Sequence, residues 1–413
     1  MGRLLRKILI VFGTRPEAIK LCPVLLKLRQ SAHFDVRACV TAQHRAMLDQ
    51  VLDAFGVTPD HDLDLMEPGQ TLAQITARIL AALEPVIQAE RPDMMLVQGD
   101  TTTTLSAALA AFYQHVPVGH VEAGLRTGDL AQPFPEEMNR VVATRLASLH
   151  FAPTQTAADN LLAESVDPRS IHVTGNSGID AVLYVRDALA AGRLHAAAWP
   201  QLDPAKKLIV VTAHRRENFG DGFEHICDAL TRLAQRQDVQ LVYPVHRNPH
   251  AMDMVYRRLG GLANIFLIEP LDYVPFVDLM RRARLLITDS GGVQEEGPSL
   301  GKPVLVMREK TERPEAVAAG TVKLVGTNAD RIVFEAERLL DDAAAYARMA
   351  HIHNPYGDGC ASGRIRQAME AYFGYGGSML RCGQGAPPSK LDPRAVSHTY
   401  RATLEPWKEP NGM

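Results

Sequence analysis

Short apolar runs alternate with longer amphipathic ones along most of this chain, and that alternation narrows its possible folds more than any other feature. "KILIVFG", "DVRACVT", "DMMLVQG", "VPVGHVE", "SLHFAPT" and "IHVTGN" read as strands. After a break come "KLIVVTAH", "VQLVYPVH", "NIFLIEP", "ARLLITDS", "KPVLVM" and "VKLVG". Between them lie helical stretches such as "EAIKLCPVLLKLRQS" and "TLAQITARILAALEPVIQAE". Repeated strand-helix-strand units predict parallel sheets covered by helices on both faces, an α/β fold. The strands form two groups of about six. The break falls near "AGRLHAAAWPQLDPAKK", which has no sustained apolar pattern. We therefore expect two doubly wound domains facing a cleft.

In such sheets ligands bind beyond the carboxyl ends of the strands. That rule singles out the charged residues standing there. They are Arg15, Asp100, Glu122, His214, and Asp289 with Ser290.

Composition excludes several classes. The formal charge is −3, from 44 basic and 47 acidic residues, so no basic surplus points to nucleic acid. A local basic pocket for an anionic small molecule fits that balance. The 413 residues contain five scattered cysteines and no CxxC pair, a pattern suited to a reducing cytoplasm. The apolar start "MGRLLRKILIVFG" is too short for a signal peptide and leads into Arg15 and Glu17. No run approaches the roughly 18 apolar residues of a membrane span. The segment 377–413 loses periodicity, is rich in Gly, Pro and charge, and is expected to be a mobile tail.

Several stretches carry chemistry. In "DSGGVQEEGPSL" a strand ends in Ser290-Gly291-Gly292 before a helix. Backbone amides there can seat a pyrophosphate, and Glu296 can accept ribose hydroxyls. A tight turn alone would also use those glycines; Glu295, Glu296 and Arg313 nearby favour a nucleotide. Neither GxGxxG after the first strand nor GxxxxGK[ST] occurs, which argues against nicotinamide, flavin and ATP.

"FGTRPEAIK" puts Arg15 and Lys20 near a helix start, as a phosphate site or as an ordinary cap with solvated cations. "QGDTTTT" sets Asp100 before threonines that could simply cap a helix. "TAHRRENFG" sets His214 beside Arg215 and Arg216, suited to a phosphate or a leaving oxygen. Glu122 and Glu136 of "HVEAGLRTGDLAQPFPEEMNR", together with Asp100, would face the group attached to a nucleotide diphosphate and serve as general acids or bases. Glu137 reads as a first-turn helix charge.

Taken in order, "GTRPEAIK", "QGDTTT", "HVEAGLRTGD", "PFPEEMNR", "VTGNSGIDA", "TAHRRENFG", "PVHRNP", "DSGGVQEEGPSLGKPVLVMREKTERPEAVAAGTVKLVG" and "NPYGDGCASGRI" resemble the bacterial non-hydrolysing UDP-N-acetylglucosamine 2-epimerase family, from about Lys7 to about Tyr372. The resemblance implies an α/β GT-B fold, two Rossmann-like doubly wound domains facing a deep interdomain cleft. It divides the chain into residues 1–175, a UDP-binding domain 176–362, and a helix 363–376 crossing back to the first domain. It implies an isomerase that interconverts UDP-GlcNAc and UDP-ManNAc with no cofactor and no metal. UDP is eliminated to leave a bound 2-acetamidoglucal, then added back, and the product supplies ManNAc units for surface polysaccharide. A hydrolysing relative, a glycosyltransferase and a UDP-sugar sensor on the same fold are the competing readings.

Carried across, the catalytic positions are Asp100, Glu122, Glu136 and His214. The UDP contacts are Arg15, Lys20, Phe276, Ser290, Gly291, Gly292, Glu296 and Arg313. Leu271 departs from the pattern where some members have a polar contact. The resemblance also implies a homodimer and a second, activating UDP-GlcNAc held by Gln43, Arg215 and His246; Ala46 and Gly69 replace longer polar residues there.

Overall fold

The computed structural model describes residues 5–42, 45–67, 69–196, 198–215, 218, 220–246, 249–311 and 313–375. They form two compact units, one built from residues up to Tyr184 together with those from Asn354 onward, the other from Val185–His353.

The first unit runs β1 (Arg6–Phe12), α1 (Arg15–Arg29), β2 (Phe34–Val40), α2 (Arg45–Phe55), β3 (His61–Asp62), α3 (Leu72–Glu90), β4 (Met94–Gln98), α4 (Thr102–Tyr113) and β5 (Val118–Val121). It continues with α5 (Glu136–Leu146), β6 (Leu149–Ala152), α6 (Gln155–Ala163), β7 (Ile171–Val173) and the start of α7 (Ser177–Ala190). Its seven strands are ordered β3-β2-β1-β4-β5-β6-β7, all parallel. Ile8 through Phe12 are fully buried, as expected of a strand covered on both faces. Leu9, Val11, Met95 and Val97 pack with Ile79, Leu83 and Ala107 on one of those faces.

The second unit runs β8 (Lys207–Thr212), α8 (Asp221–Ala234), β9 (Val239–Pro244), α9 (Pro249–Leu259), β10 (Ile265–Ile268), α10 (Tyr273–Arg282), β11 (Leu285–Thr288) and α11 (Gly291–Ser299). It closes with β12 (Val304–Val306), α12 (Pro314–Ala319), β13 (Val322–Leu324), α13 (Ala329–Asp341) and α14 (Ala343–Ala350). Its parallel sheet is ordered β10-β9-β8-β11-β12-β13. Ile209, Val211, Leu241 and Tyr243 pack with Phe223, Leu230 and Leu339. The linker before β8 is fixed to this unit by Trp199, whose indole N–H donates to buried Asp278 at 3.3 Å.

Both sheets reverse direction of growth at their centre, between β1 and β4 and between β8 and β11. Each unit therefore has one topological switch point, and the loops at its carboxyl end are where a ligand is received.

Two sequence expectations differ from the structure. Strand β3 was not expected, because His61 and Asp62 carry no apolar run. The units also divide inside α7 rather than at 175/176, and the chain rejoins the first unit at Asn354 rather than at 363. The reason is local. Asn176 donates its N–H to Tyr356 at 2.7 Å, and Asp180 accepts from the amides of Ala361 and Ser362 at 3.1 and 2.8 Å. These bonds bind the front of α7 to the start of α15 (Ala361–Tyr372). Helix α15 packs on α1; just past the end of α1, Ser31 donates to Glu370 at 2.7 Å and His33 stacks on Tyr375 with ring centroids 4.3 Å apart. The expected tail 377–413 lies outside the described residues.

Candidate active site

In the first unit a cluster of charged residues is built on the exits of β1, β4 and β5. Thr14 caps α1 in a reciprocal box with Glu17, and Pro16 supplies the preset first turn. Arg15 and Lys20 thus come from one helix start, Arg15 half-buried at its first position. The Lys20 ammonium pairs with Glu122 Oε1, and the Gln98 amide donates to Glu122 Oε2. Glu122 stands at φ +65°, a left-handed conformation that non-glycine residues rarely hold, and such strain concentrates at functional sites. Gly124 (φ +93°) turns the chain after it; a Cβ there would lie 2.1 Å from the Ala157 carbonyl oxygen.

Asp100 ends the β4 exit. Burial raises its carboxyl to about 6, helped by the charges of Glu122 and Glu136 and opposed by those of Arg140 and Lys20. A carboxyl there holds either protonation state near neutrality. Glu136 comes from the first residue of α5, and its Oε2 is buried with no hydrogen-bond partner among the described residues. The structure therefore gathers Arg15, Lys20, Asp100, Glu122 and Glu136 around one switch point.

Glu137 is a first-turn residue of α5, as expected, but it is fully buried and its oxygens are engaged. It accepts from the amides of Thr127 and Gly128 at 3.0 and 3.1 Å and from Arg140 Nε at 2.7 Å. Arg140 reaches Asp100 Oδ2 at 3.3 Å, and the Asn139 amide donates to the Asp100 carbonyl at 2.9 Å. Glu17 likewise exceeds its capping role. Its buried carboxylate accepts from Gly13 N–H at 3.0 Å, Thr14 N–H at 2.7 Å and Thr101 Oγ1 at 2.6 Å, joining the β1 and β4 exits. Burial pushes the Glu17 carboxyl up, against those hydrogen bonds.

In the second unit a separate cluster lies at the exits of β8 and β11, which pair in register Thr288↔Thr212. Asp289 is fully buried. Its Oδ2 accepts from the amides of His214 and Arg215 at 2.8 and 2.7 Å, and Oδ1 pairs with His214 Nδ1 at 3.0 Å. Burial pushes the Asp289 carboxyl up, but His214 and the two amides outweigh it and hold it below its ordinary value. With Nδ1 engaged, Nε2 is the His214 nitrogen presented to a ligand. His246 stacks on His214 with ring centroids 5.7 Å apart, and burial and that neighbour push its pKa down.

Ser290 caps α11, placing Gly291 and Gly292 at its first two positions. Their amides project at the helix start with its positive dipole end. A Cβ on Gly291 would lie 3.3 Å from Arg313 Cζ, so the glycine lets this guanidinium close on the helix start. Arg313 is held by Glu295 at 2.8 Å. Glu296 follows on α11, and half-buried Phe276 lies on α10. His214, Arg215, His246, Phe276, Ser290, Gly291, Gly292, Glu296 and Arg313 all belong to the second unit; Gln43 lies outside the described residues.

Sequence reasoning placed Asp289 at a strand end but gave it no role. The signal was present: a carboxylate after β11, neighbour of the strand β8 that His214 follows. Among the described residues no group of three or more His, Cys, Asp or Glu could hold a metal ion, and no helix is long and apolar enough to cross a membrane.

A family model described as UDP-N-acetylglucosamine 2-epimerase matches residues 26–370. The chain is 57% identical to the UDP-N-acetylglucosamine 2-epimerase of Salmonella typhimurium over 371 residues, covering 89% of this chain and 99% of that protein. Its fold is similar to the UDP-GlcNAc 2-epimerase of Neisseria meningitidis bound to UDP-GlcNAc, with TM-score 0.80, 47% identity, and coverage of 89% of this chain and 100% of that one. It is also similar to the Methanocaldococcus jannaschii UDP-GlcNAc 2-epimerase in complex with UDP-GlcNAc and UDP, with TM-score 0.69, 31% identity, and coverage of 88% and 99%.

Proposed function

The chain belongs to the UDP-N-acetylglucosamine 2-epimerase family, and from that premise we propose that it interconverts UDP-GlcNAc and UDP-ManNAc by elimination and re-addition of UDP. The two Rossmann-like units are those of a GT-B-like fold. The second unit takes the UDP moiety. The amides of Gly291 and Gly292 and the guanidinium of Arg313 receive the diphosphate, Glu296 the ribose hydroxyls, and Phe276 and Ser290 complete the seat. Arg15 and Lys20 supply cations from the first unit.

The chemistry takes place at C1 and C2 of the sugar. A carboxylate removes the C2 proton, the C1–O bond breaks, and UDP leaves with the bonding pair as the C1–C2 double bond forms. The glycal remains bound. A protonated carboxyl then delivers a proton to the opposite face of C2 while UDP adds back at C1. No net oxidation occurs, so the residues need supply only acid, base and charge stabilisation. Asp100, Glu122 and Glu136 share the proton transfers. His214, oriented by Asp289, stabilises the leaving phosphate oxygen through Nε2.

The observation that carries this reading is Asp100, a carboxyl held near 6 beside Glu122 and Glu136. The family resemblance further supports a cytoplasmic homodimer serving surface polysaccharide synthesis, and a second UDP-GlcNAc activating through Arg215 and His246. Incubating the protein with UDP-GlcNAc and separating the products by anion exchange tests the reaction. UDP-ManNAc at a stable ratio with substrate is the expected result. Stoichiometric UDP and free ManNAc would assign a hydrolysing enzyme instead.

A further inference from the structure

Arginine is among the residues least often buried, yet Arg140 is 9% exposed, and its guanidinium spans two carboxylates. Nε donates to Glu137 at 2.7 Å, and a terminal nitrogen faces Asp100 Oδ2 at 3.3 Å. The neighbouring Asn139 holds the Asp100 carbonyl at 2.9 Å. Backbone and side chain of Asp100 are thus gripped from consecutive residues of one helix turn. Glu137 is no simple counterion for Arg140, because its other oxygen takes the amides of Thr127 and Gly128.

We infer that Arg140, seated on Glu137 and flanked by Asn139, is a positioning residue for Asp100: its planar fork fixes where the Asp100 carboxylate stands and ties that position to the 127–128 loop. The inference rests on Asp100 carrying proton transfer, as proposed above. A buried ion pair is not by itself a source of stability, since replacing it with apolar groups is often neutral. Burial of a fork bridging two carboxylates therefore points to geometry and charge at Asp100. Lysine, a single point charge, cannot reproduce both contacts. The charged groups facing Asp100 are Glu122 from the end of β5, Glu136 and Arg140 from α5, and Lys20 from α1. The first two favour its protonated form; the two cations favour the carboxylate.

The test uses the full chain labelled with ¹³C at aspartate carboxyls, with the Asp100 signal assigned by its loss in Asp100→Asn. In the unsubstituted protein this carboxyl is expected to titrate at about 6. In Arg140→Met the midpoint moves up by about one pH unit, because a cation at ion-pair distance is lost. The turnover number for C2 proton exchange falls about tenfold or more, while KM for UDP-GlcNAc stays close to the original, the pattern of an interaction made during the chemical step. Arg140→Lys keeps the midpoint and recovers part of the rate. If Arg140→Met fails to fold, the Glu137→Gln/Arg140→Met pair removes the buried Glu137 charge together with its partner and carries the same prediction. An unmoved Asp100 midpoint, with turnover unchanged, would overturn the inference. A moved midpoint in a protein that never exchanges C2 would leave the positioning role standing and remove the proposed reaction.

Discussion

Replacing Asp100 with Asn should stabilise this protein at pH 8 and do little near pH 4. Burial and two neighbouring carboxylates raise the Asp100 carboxyl from 3.8 to about 6. The difference of 2.2 between those values corresponds to about 3 kcal/mol, at about 1.36 kcal/mol per pH unit. The side chain retains 30% exposure, so solvent screening brings the figure to about 1–2 kcal/mol. The sign follows from linkage. An acid whose folded value lies above its unfolded one destabilises the fold once ionised. The penalty is absent below 3.8, grows between 3.8 and about 6, and is complete above that. Asn approximates the protonated form and lacks the penalty at every pH. For a unit of this size, 1 kcal/mol corresponds to about 2–4 °C in Tm, so the variant should melt about 2–8 °C higher at pH 8. Thermal unfolding of both proteins at about pH 4.5 and pH 8 measures it, alongside loss of epimerisation. A variant no more stable than the original at pH 8, or equally stabilised at both values, would refute the reasoning.

Further consequences follow from contacts within each unit's own cluster. Asp289→Asn should lower turnover about 10- to 150-fold, since weakening a charged hydrogen bond costs about 1.5–3 kcal/mol and His214 loses its anchor; steady-state kinetics with unchanged turnover would free His214 from Asp289. Glu17→Ala leaves the Gly13 and Thr14 amides without their acceptor, at about 1–3 kcal/mol for each buried group, read by urea unfolding. A loss well below 1 kcal/mol would mean that the two loop exits are held by something else. Gly291→Val should weaken UDP binding about tenfold or more, by displacing Arg313 from the helix start, equivalent to about 1.4 kcal/mol by calorimetry. Unaltered affinity would detach that helix from the nucleotide.

The strands that line both sites were legible because a parallel strand buried on two faces must be apolar throughout, as Ile8–Phe12 and Leu285–Ile287 are. The same logic put Asp100, Glu122 and His214 at strand ends. It failed for β3, a two-residue edge strand with nothing apolar to announce it. It failed also inside α7, where Asp180 binds the amides at the start of α15, a contact that only the folded chain creates. Glu17, Glu137 and Arg140 stand in quoted motifs, yet only Glu137 has a reading there, as a first-turn helix charge. A carboxylate in a first helical turn has that appearance whether it meets water or buried amides. Periodicity reports which face of a helix is buried; it does not report which partner waits there. Asp289 came closest to being legible, because the doubly wound strand order alone makes its strand the neighbour of the one that His214 follows.

The measurement that tests the central claim most directly is proton NMR of UDP-GlcNAc incubated with the protein in D₂O. Elimination and re-addition with proton transfer at C2 predicts UDP-ManNAc, loss of the C2 proton signal from both epimers, and little free UDP. Conversion that retained protium at C2, or substrate that bound without any exchange, would contradict it.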